Sequence, residues 1–169
     1  RSLNETCRRL LEQGFIPQRP PLWSERLHEL TEKIKEHFGK NLLSLVIFGS
    51  QIQGTATSAS DLDLLMVLKD EVILDRSLYS WWDKIFPDPR VDDIPVSPHF
   101  VHVPEKPEEA GGFWFEIATH HEMIWTRSAT TKDCITSLLT CIREGRIQRA
   151  WTHGHPYWVW RDDEKQATR

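Results

Sequence analysis

Residues 48–64 read Phe48-Gly49-Ser50-Gln51-Ile52-Gln53-Gly54-Thr55-Ala56-Thr57-Ser58-Ala59-Ser60-Asp61-Leu62-Asp63-Leu64, and they follow a nearly continuous apolar run, Leu43-Ser44-Leu45-Val46-Ile47. A run without alternation is what a central strand buried on both faces requires. A second strand is expected over 62–68. Side chains alternate along a strand, so Asp61 and Asp63 face one way while Leu62 and Leu64 face the other. Two carboxylates roughly 7 Å apart along one strand face repel each other unless a cation lies between them. Mg²⁺ takes carboxylate oxygens and is commonly shared with substrate phosphates. Gly49 lets the backbone approach a ligand closely, and Ser50 offers a hydroxyl and an N–H to a phosphate oxygen. Asp-x-Asp alone would describe an ordinary solvated strand end. Joined to an apolar strand and a Gly-Ser turn eleven residues earlier, it points to a metal-phosphate site.

Outward from this segment, strands and helices interleave. A short helix is expected over 3–13, then an extended Pro-rich link over 17–21. Ser24 can cap a second helix whose stripe is Leu27, Leu30, Ile34 and Phe38, with Gly39 as its stop. Residues 51–60 read as a loop or short helix. Asp70 is the expected cap of a helix through Ile73, Leu74 and Trp81 to Phe86, ended by Pro87-Asp88-Pro89. A third strand is expected over 96–103, with Pro98 marking an edge or bulge. A helix over 113–120, a short strand over 123–126 and an amphipathic helix over 131–144 complete the pattern, with Gly145 ending or bending the last. The class is α/β or α+β, a small mixed sheet with flanking helices. Residues 1–40 form N-terminal helices, 41–127 the central domain, and 128–169 a helix and aromatic tail of the same compact unit.

The chain has 169 residues, 39% hydrophobic and 27% charged, with a net charge of -4, so it is long enough for a single core and has no global pull towards nucleic acid or anionic membranes. No stretch approaches a membrane span, and residues 1–5 lack a signal peptide's apolar region. Cys7, Cys134 and Cys141 make no disulfide framework, so reduced thiols in the cytoplasm are the expectation. Five of the eight tryptophans fall after residue 110, read mainly as core packing.

The spacing Gly49-Ser50-x-x-x-Gly54-x-Ala56-x-x-x-Ser60-Asp61-x-Asp63-Leu64 resembles the signature of the DNA polymerase beta-like nucleotidyltransferase superfamily, in its minimal nucleotidyltransferase branch. The resemblance implies a nucleotidyltransferase fold. It implies that Gly49, Ser50 and Ser60 bind a nucleoside triphosphate, ATP being the expected one, and that Asp61 and Asp63 bind Mg²⁺ or Mn²⁺. A nucleoside monophosphate would pass to a hydroxyl on a protein, an RNA end or a small molecule, with pyrophosphate leaving. Small members of this branch are often paired with a helical HEPN-type toxin, so an inactive, antitoxin-like binding protein is the alternative.

The chain departs from the pattern twice. Gln53 stands where the branch often has Arg, which removes a fixed positive charge. The third carboxylate is absent from Val96-Ser97-Pro98-His99-Phe100-Val101-His102-Val103. Two candidates remain for it. If the strand starts at Val91, Asp93 completes a triad suited to Mg²⁺. If it starts near Val96, Asp93 sits in a turn and His99 or Ser97 faces the site, which favours Mn²⁺. The second is preferred.

Other features read as structural. His120-His121-Glu122 lacks zinc spacing, and His153-x-His155 belongs to an aromatic turn. Arg143, Arg146 and Arg149 would line one helical edge if the last helix passes through Gly145. With Arg161 and the late tryptophans they could offer a surface to a nucleotide or RNA end.

Overall fold

A computed structural model describes residues 25–153 and 155–161. The expected helix over 3–13, the Pro-rich link, Cys7, the Ser24 cap and the end of the tail lie outside the described residues. Helix α1 (Glu25–Phe38) buries Leu27, Leu30, Ile34 and Phe38, one stripe at helical spacing. It stops at Gly39, whose φ of 52° suits a residue without Cβ, and the turn Gly39–Asn41 leads into strand β1 (Leu42–Phe48). A single turn of helix, α2 (Ser50–Gln53), and a loop connect β1 to β2 (Leu62–Leu68). There follow α3 (Arg76–Ile85), the two-residue β3 (Arg90–Val91), β4 (Ile94–His102), α4 (Gly112–Thr119), β5 (His121–Thr126) and α5 (Thr130–Arg143). A hairpin of β6 (Ile147–Thr152) and β7 (His155–Trp160) closes the described chain.

The main sheet has the order β3-β4-β2-β1-β5. β1 runs antiparallel to β2 and β5, while β2 and β4 are parallel, so the sheet is mixed, as expected for α+β. Its two faces are both covered, which is why β1 and β2 read as unbroken apolar runs. On one face Leu45, Ile47, Leu62, Leu64 and Met66 pack with α1 and α3. On the other, Val46, Phe48, Leu65 and Val67 pack with Trp114, Phe115 and Ile117 of α4 and with Ile135 and Leu138 of α5. Each fully buried Leu or Ile stabilises the fold by roughly 1.5–3 kcal/mol relative to exposure. Ser44, the polar residue inside β1, is satisfied: its hydroxyl donates to Thr131 Oγ1 at 2.8 Å and lies 2.9 Å from Thr126 Oγ1, tying β1 to α5 and β5.

Several expectations need correction. Asp70 does not cap α3; Asp75 does, accepting from the Ser77 N–H at 2.8 Å. Together with the Ser77 hydroxyl, that bond holds the Asp75 carboxyl below its usual range. Ile73 and Leu74, which suggested an earlier start, sit in a connecting loop at 77% and 41% exposure. Helix α5 ends at Arg143, and Gly145 turns the chain with φ 70°, so Arg149 lies on β6 and the three arginines share no helical edge. The aromatic tail is a hairpin, docked by Ile147, Trp158 and Trp160 against the α4–α5 side of the core. Trp82 and Trp114 are buried, but Trp151 is 66% exposed, so packing does not explain every tryptophan. Pro98 is accommodated because β3 pairs only with Ile94 and Pro95, leaving the outer edge of β4 beyond them without a strand partner among the described residues. No helix among the described residues is long and apolar enough to cross a membrane.

Candidate active site at the Gly-Ser turn

The ends of β1 and β2 build the site together. Phe48, the last residue of β1, is paired with Asp63 of β2. The chain then turns at Gly49, with φ 79° and ψ -157°, and starts α2 at Ser50. A Cβ placed on Gly49 would run into Asp63 Oδ2 and stand 3.2 Å from its Cγ. Glycine is therefore required twice: for its positive φ, and because the Asp63 carboxylate occupies the space a side chain would fill. The Ile52 and Gln53 N–H groups bond back to Gly49 O at 3.1 and 3.0 Å, which closes the turn.

Asp63 shares its sheet face with Leu65 and Val67, opposite to Leu62 and Leu64. Asp61, two positions earlier, is exposed at the mouth of β2, and Asp63 is half-buried. Across the parallel pairing, Asp63 sits level with Ser97. His99, one alternation further along β4, reaches back so that its Nε2 is 3.0 Å from Asp63 Oδ1. With a carboxylate as acceptor, Nε2–H is the donor, and the imidazole fixes the rotamer of Asp63.

The remaining sequence candidates are placed as follows. Strand β4 begins at Ile94, so Asp92 and Asp93 form the two-residue turn of the β3–β4 hairpin. Their φ values, 49° and 66°, are those of a tight hairpin turn, and Asp93 O accepts from Arg90 Nη1 at 3.0 Å. Ser60 shapes the loop before Asp61: its Oγ accepts from Thr57 N–H at 2.9 Å, and its carbonyl accepts from Gln51 Nε2 at 3.3 Å. Gln53 and Gly54 are exposed at the end of α2.

Among the described residues, no three His, Cys, Asp or Glu side chains are grouped to hold a metal ion. The donors near the turn are Asp63, oriented by an imidazole beside a turn cleared of side chain, and Asp61, exposed just before β2. Such a pair fits a hard divalent cation that draws its other ligands from substrate phosphates and water.

The sequence pattern of the nucleotidyltransferase domain matches residues 27–114, more than half of the chain. The chain belongs to this nucleotidyltransferase family of enzymes. A curated relative, "Putative protein adenylyltransferase MJ1305" of Methanocaldococcus jannaschii, is 46% identical over 44 residues, which is 26% of this chain and 30% of that protein's length. Among solved structures, a toxin-antitoxin complex with AMP-PNP is similar at 14% identity and a TM-score of 0.49, covering 73% of this chain and 90% of that one. The spectinomycin adenyltransferase AAD(9) of Enterococcus faecialis, solved with ATP and spectinomycin, is similar at 15% identity and a TM-score of 0.49, covering 71% of this chain and 62% of that one.

This nucleotidyltransferase domain has features around Asp63 that its motif does not contain. Phe48, His99 and Phe113 form a contiguous aromatic group, with ring centroids 5.1 Å apart for Phe48 and His99 and 5.2 Å for Phe48 and Phe113. Phe48 could be noticed because it adjoins Gly49. Phe113 comes from α4, and no spacing in the sequence links it to the carboxylates. A separate cleft of about 570 Å³ lies at the other end of β1 and β2, lined by Lys69, Asp70, Glu71, Glu105, Asp133 and Cys134 among others. Its lining includes neither the Gly-Ser turn nor Asp61 or Asp63, so concavity and the motif part company in this domain.

Proposed function

We propose that the domain transfers a nucleoside monophosphate from ATP to a hydroxyl on another molecule in the cytoplasm, using Mg²⁺ or Mn²⁺ held by Asp61 and Asp63. The observation that carries this reading is the Asp63 carboxylate seated over Gly49, where any side chain would displace it. Ser50, with its hydroxyl and backbone N–H at the start of α2, receives phosphate oxygens. His99 orients Asp63 rather than acting as the third ligand, and Ser60, which shapes the approach loop, helps to hold the nucleotide. When bound, the divalent ion supplies charge neutralisation at the α-phosphate and at the departing pyrophosphate. The acceptor oxygen bonds to the α-phosphorus, the bond to the β-phosphate oxygen breaks, and the hydroxyl proton passes to solvent.

The name of the archaeal relative favours a protein hydroxyl as acceptor. The test is incorporation of label from α-labelled ATP into candidate protein, RNA and small-molecule acceptors. Mg²⁺- or Mn²⁺-dependent labelling by the parent, lost in Asp61→Asn/Asp63→Asn, is the expected result. Labelling that persists in the double variant would refute the site.

A second reading is favoured by β4, which carries no acid between Ile94 and His102. A site with only two carboxylates could bind ATP and serve a helical HEPN-type partner without transfer. Binding of Mg-ATP with no labelling of any acceptor, including such a partner, would select it.

A further inference from the structure

We propose that Phe113 is the residue on which the base of the bound nucleoside triphosphate stacks, a reading that rests on the phosphates being held at Gly49, Ser50, Asp61 and Asp63. Helix α4 opens with Gly112-Phe113-Trp114-Phe115, and its aromatics divide sharply. Trp114 and Phe115 are 6% and 0% exposed, whereas Phe113 is 38% exposed. Phe113 therefore sits at the margin of the core, with part of its ring open. Its ring packs edge-to-face with Phe48 at 86° and tilts against His99 at 5.9 Å. Phe48 directly precedes the Gly49 turn, and His99 Nε2 is 3.0 Å from Asp63 Oδ1. The exposed Phe113 ring is thus joined to Asp63 through His99, with the buried Phe48 beneath both.

A ligand matching both parts has an anionic end for the turn and a planar apolar end for the ring. A nucleotide has both; inorganic phosphate, pyrophosphate or tripolyphosphate has only the first. The T-shaped packing on Phe48 also fixes the tilt of the Phe113 ring before any ligand arrives, so little ordering is left to binding. Stacking accepts any base because every base has a π-face. Phe113 should then separate ligands with a base from ligands without one, rather than adenine from guanine.

The experiment compares binding of Mg-ATP and of magnesium tripolyphosphate by calorimetry in the parent, Phe113→Ala, Phe113→Leu and Phe113→Trp, with folding checked by thermal melting. Loss of a base-aromatic stack predicts roughly tenfold to hundredfold weaker Mg-ATP binding in Phe113→Ala. Tripolyphosphate binding should be unchanged, Phe113→Leu should fail to restore ATP affinity, and Phe113→Trp should restore it. Equal loss of both ligands in Phe113→Ala, or Phe113→Leu binding ATP like the parent, would overturn the stacking role. A parent that binds ATP no better than tripolyphosphate would sink stacking while leaving the phosphate site standing. A parent that binds neither would sink both.

Discussion

The β1–β2 pair has acids at both of its ends, and the two ends differ in everything that turns acids into a site. At the Gly49 end, Asp63 is half-buried, seated against a glycine and oriented by His99. At the Leu68 end, Asp70, Glu71, Glu105 and Asp133 are exposed residues around a cleft of about 570 Å³. His102 donates from Nε2 to Val72 O at 2.8 Å there, which secures the loop, while its Nδ1 stands 3.9 Å from the exposed Asp70 Oδ1, too far for a hydrogen bond. The cleft has volume, whereas the Gly49 end has pre-organisation. Charge repulsion between carboxylates is tolerated only where something holds them, and holding is what a cation can exploit.

The sharpest way to break this comparison is to neutralise each end in turn. Asp61→Asn/Asp63→Asn should weaken Mg-ATP binding by more than about a hundredfold, roughly 2.7 kcal/mol, in calorimetric titration, while Asp70→Asn/Asp133→Asn leaves it within about twofold. Melting in metal-free buffer should show the first variant as stable as the parent or more so, because like-charge repulsion is relieved. The opposite pattern would move the site to the cleft.

Two glycines with positive φ provide the next contrast. Gly49→Val should lose more than about tenfold in nucleotide affinity, roughly 1.4 kcal/mol or above, since the side chain must displace Asp63. Gly39 precedes β1 at the other end, with φ 52° and open space for 4 Å around the point where a Cβ would stand. Gly39→Ala should therefore lower the melting temperature, at roughly 1–2 kcal/mol for the left-handed backbone, and leave nucleotide titrations unchanged.

Smaller effects belong to the supporting groups. Ser50→Ala should cost about 0.5–1.5 kcal/mol of ATP affinity, one neutral hydrogen bond. His99→Ala should lower transfer several-fold through loss of Asp63 orientation, with His99→Gln recovering part of it as a donor to the same oxygen. If His99→Ala abolishes Mn²⁺ use while Mg²⁺ use survives, the imidazole is a metal ligand and its positioning role is wrong. The same assay on Asp93→Asn should show no change; a loss there would place the hairpin turn in the site.

The smallest expected signal comes from Cys134, in the wall of the cleft. Burial pushes its thiol up to about 11, so the thiolate forms only as pH rises towards that value. Iodoacetamide labelling followed by mass spectrometry should be slow near neutral pH and accelerate steadily as the solution is made alkaline. Fast labelling at neutral pH would mark the cleft as a reactive site after all.

Much of this molecule is legible in the order of its residues. The apolar runs of β1 and β2 and the Gly39 and Gly145 stops follow from local periodicity and backbone preference. Local rules fail where two preferences compete. The apolar Ile73 and Leu74 point to Asp70 as the cap, yet both are exposed and the cap that forms is Asp75. The tail's tryptophans carry no clear strand alternation, because Trp158 and Trp160 are positioned by α4 and α5, not by their neighbours in sequence.

Local pattern already favours Asp93 in a turn, as found, but the contact of His99 with Asp63 lies beyond it. His99 meets Asp63 across 36 residues of chain, and that meeting depends on the parallel register of β2 with β4. The register is set by which side chains of β4 reach the two covered faces of the sheet: Val96 and Phe100 turn to one, leaving His99 on the side of Asp63. Phe113 reaches the site because Trp114 and Phe115 anchor α4 in the core and leave the preceding ring at its margin. That two carboxylates and a Gly-Ser turn share one strand pair is written into the residue order, since alternation and glycine's backbone freedom act over a few residues. Which residues surround them is set by packing between segments distant in the chain, an interaction that no window of sequence contains.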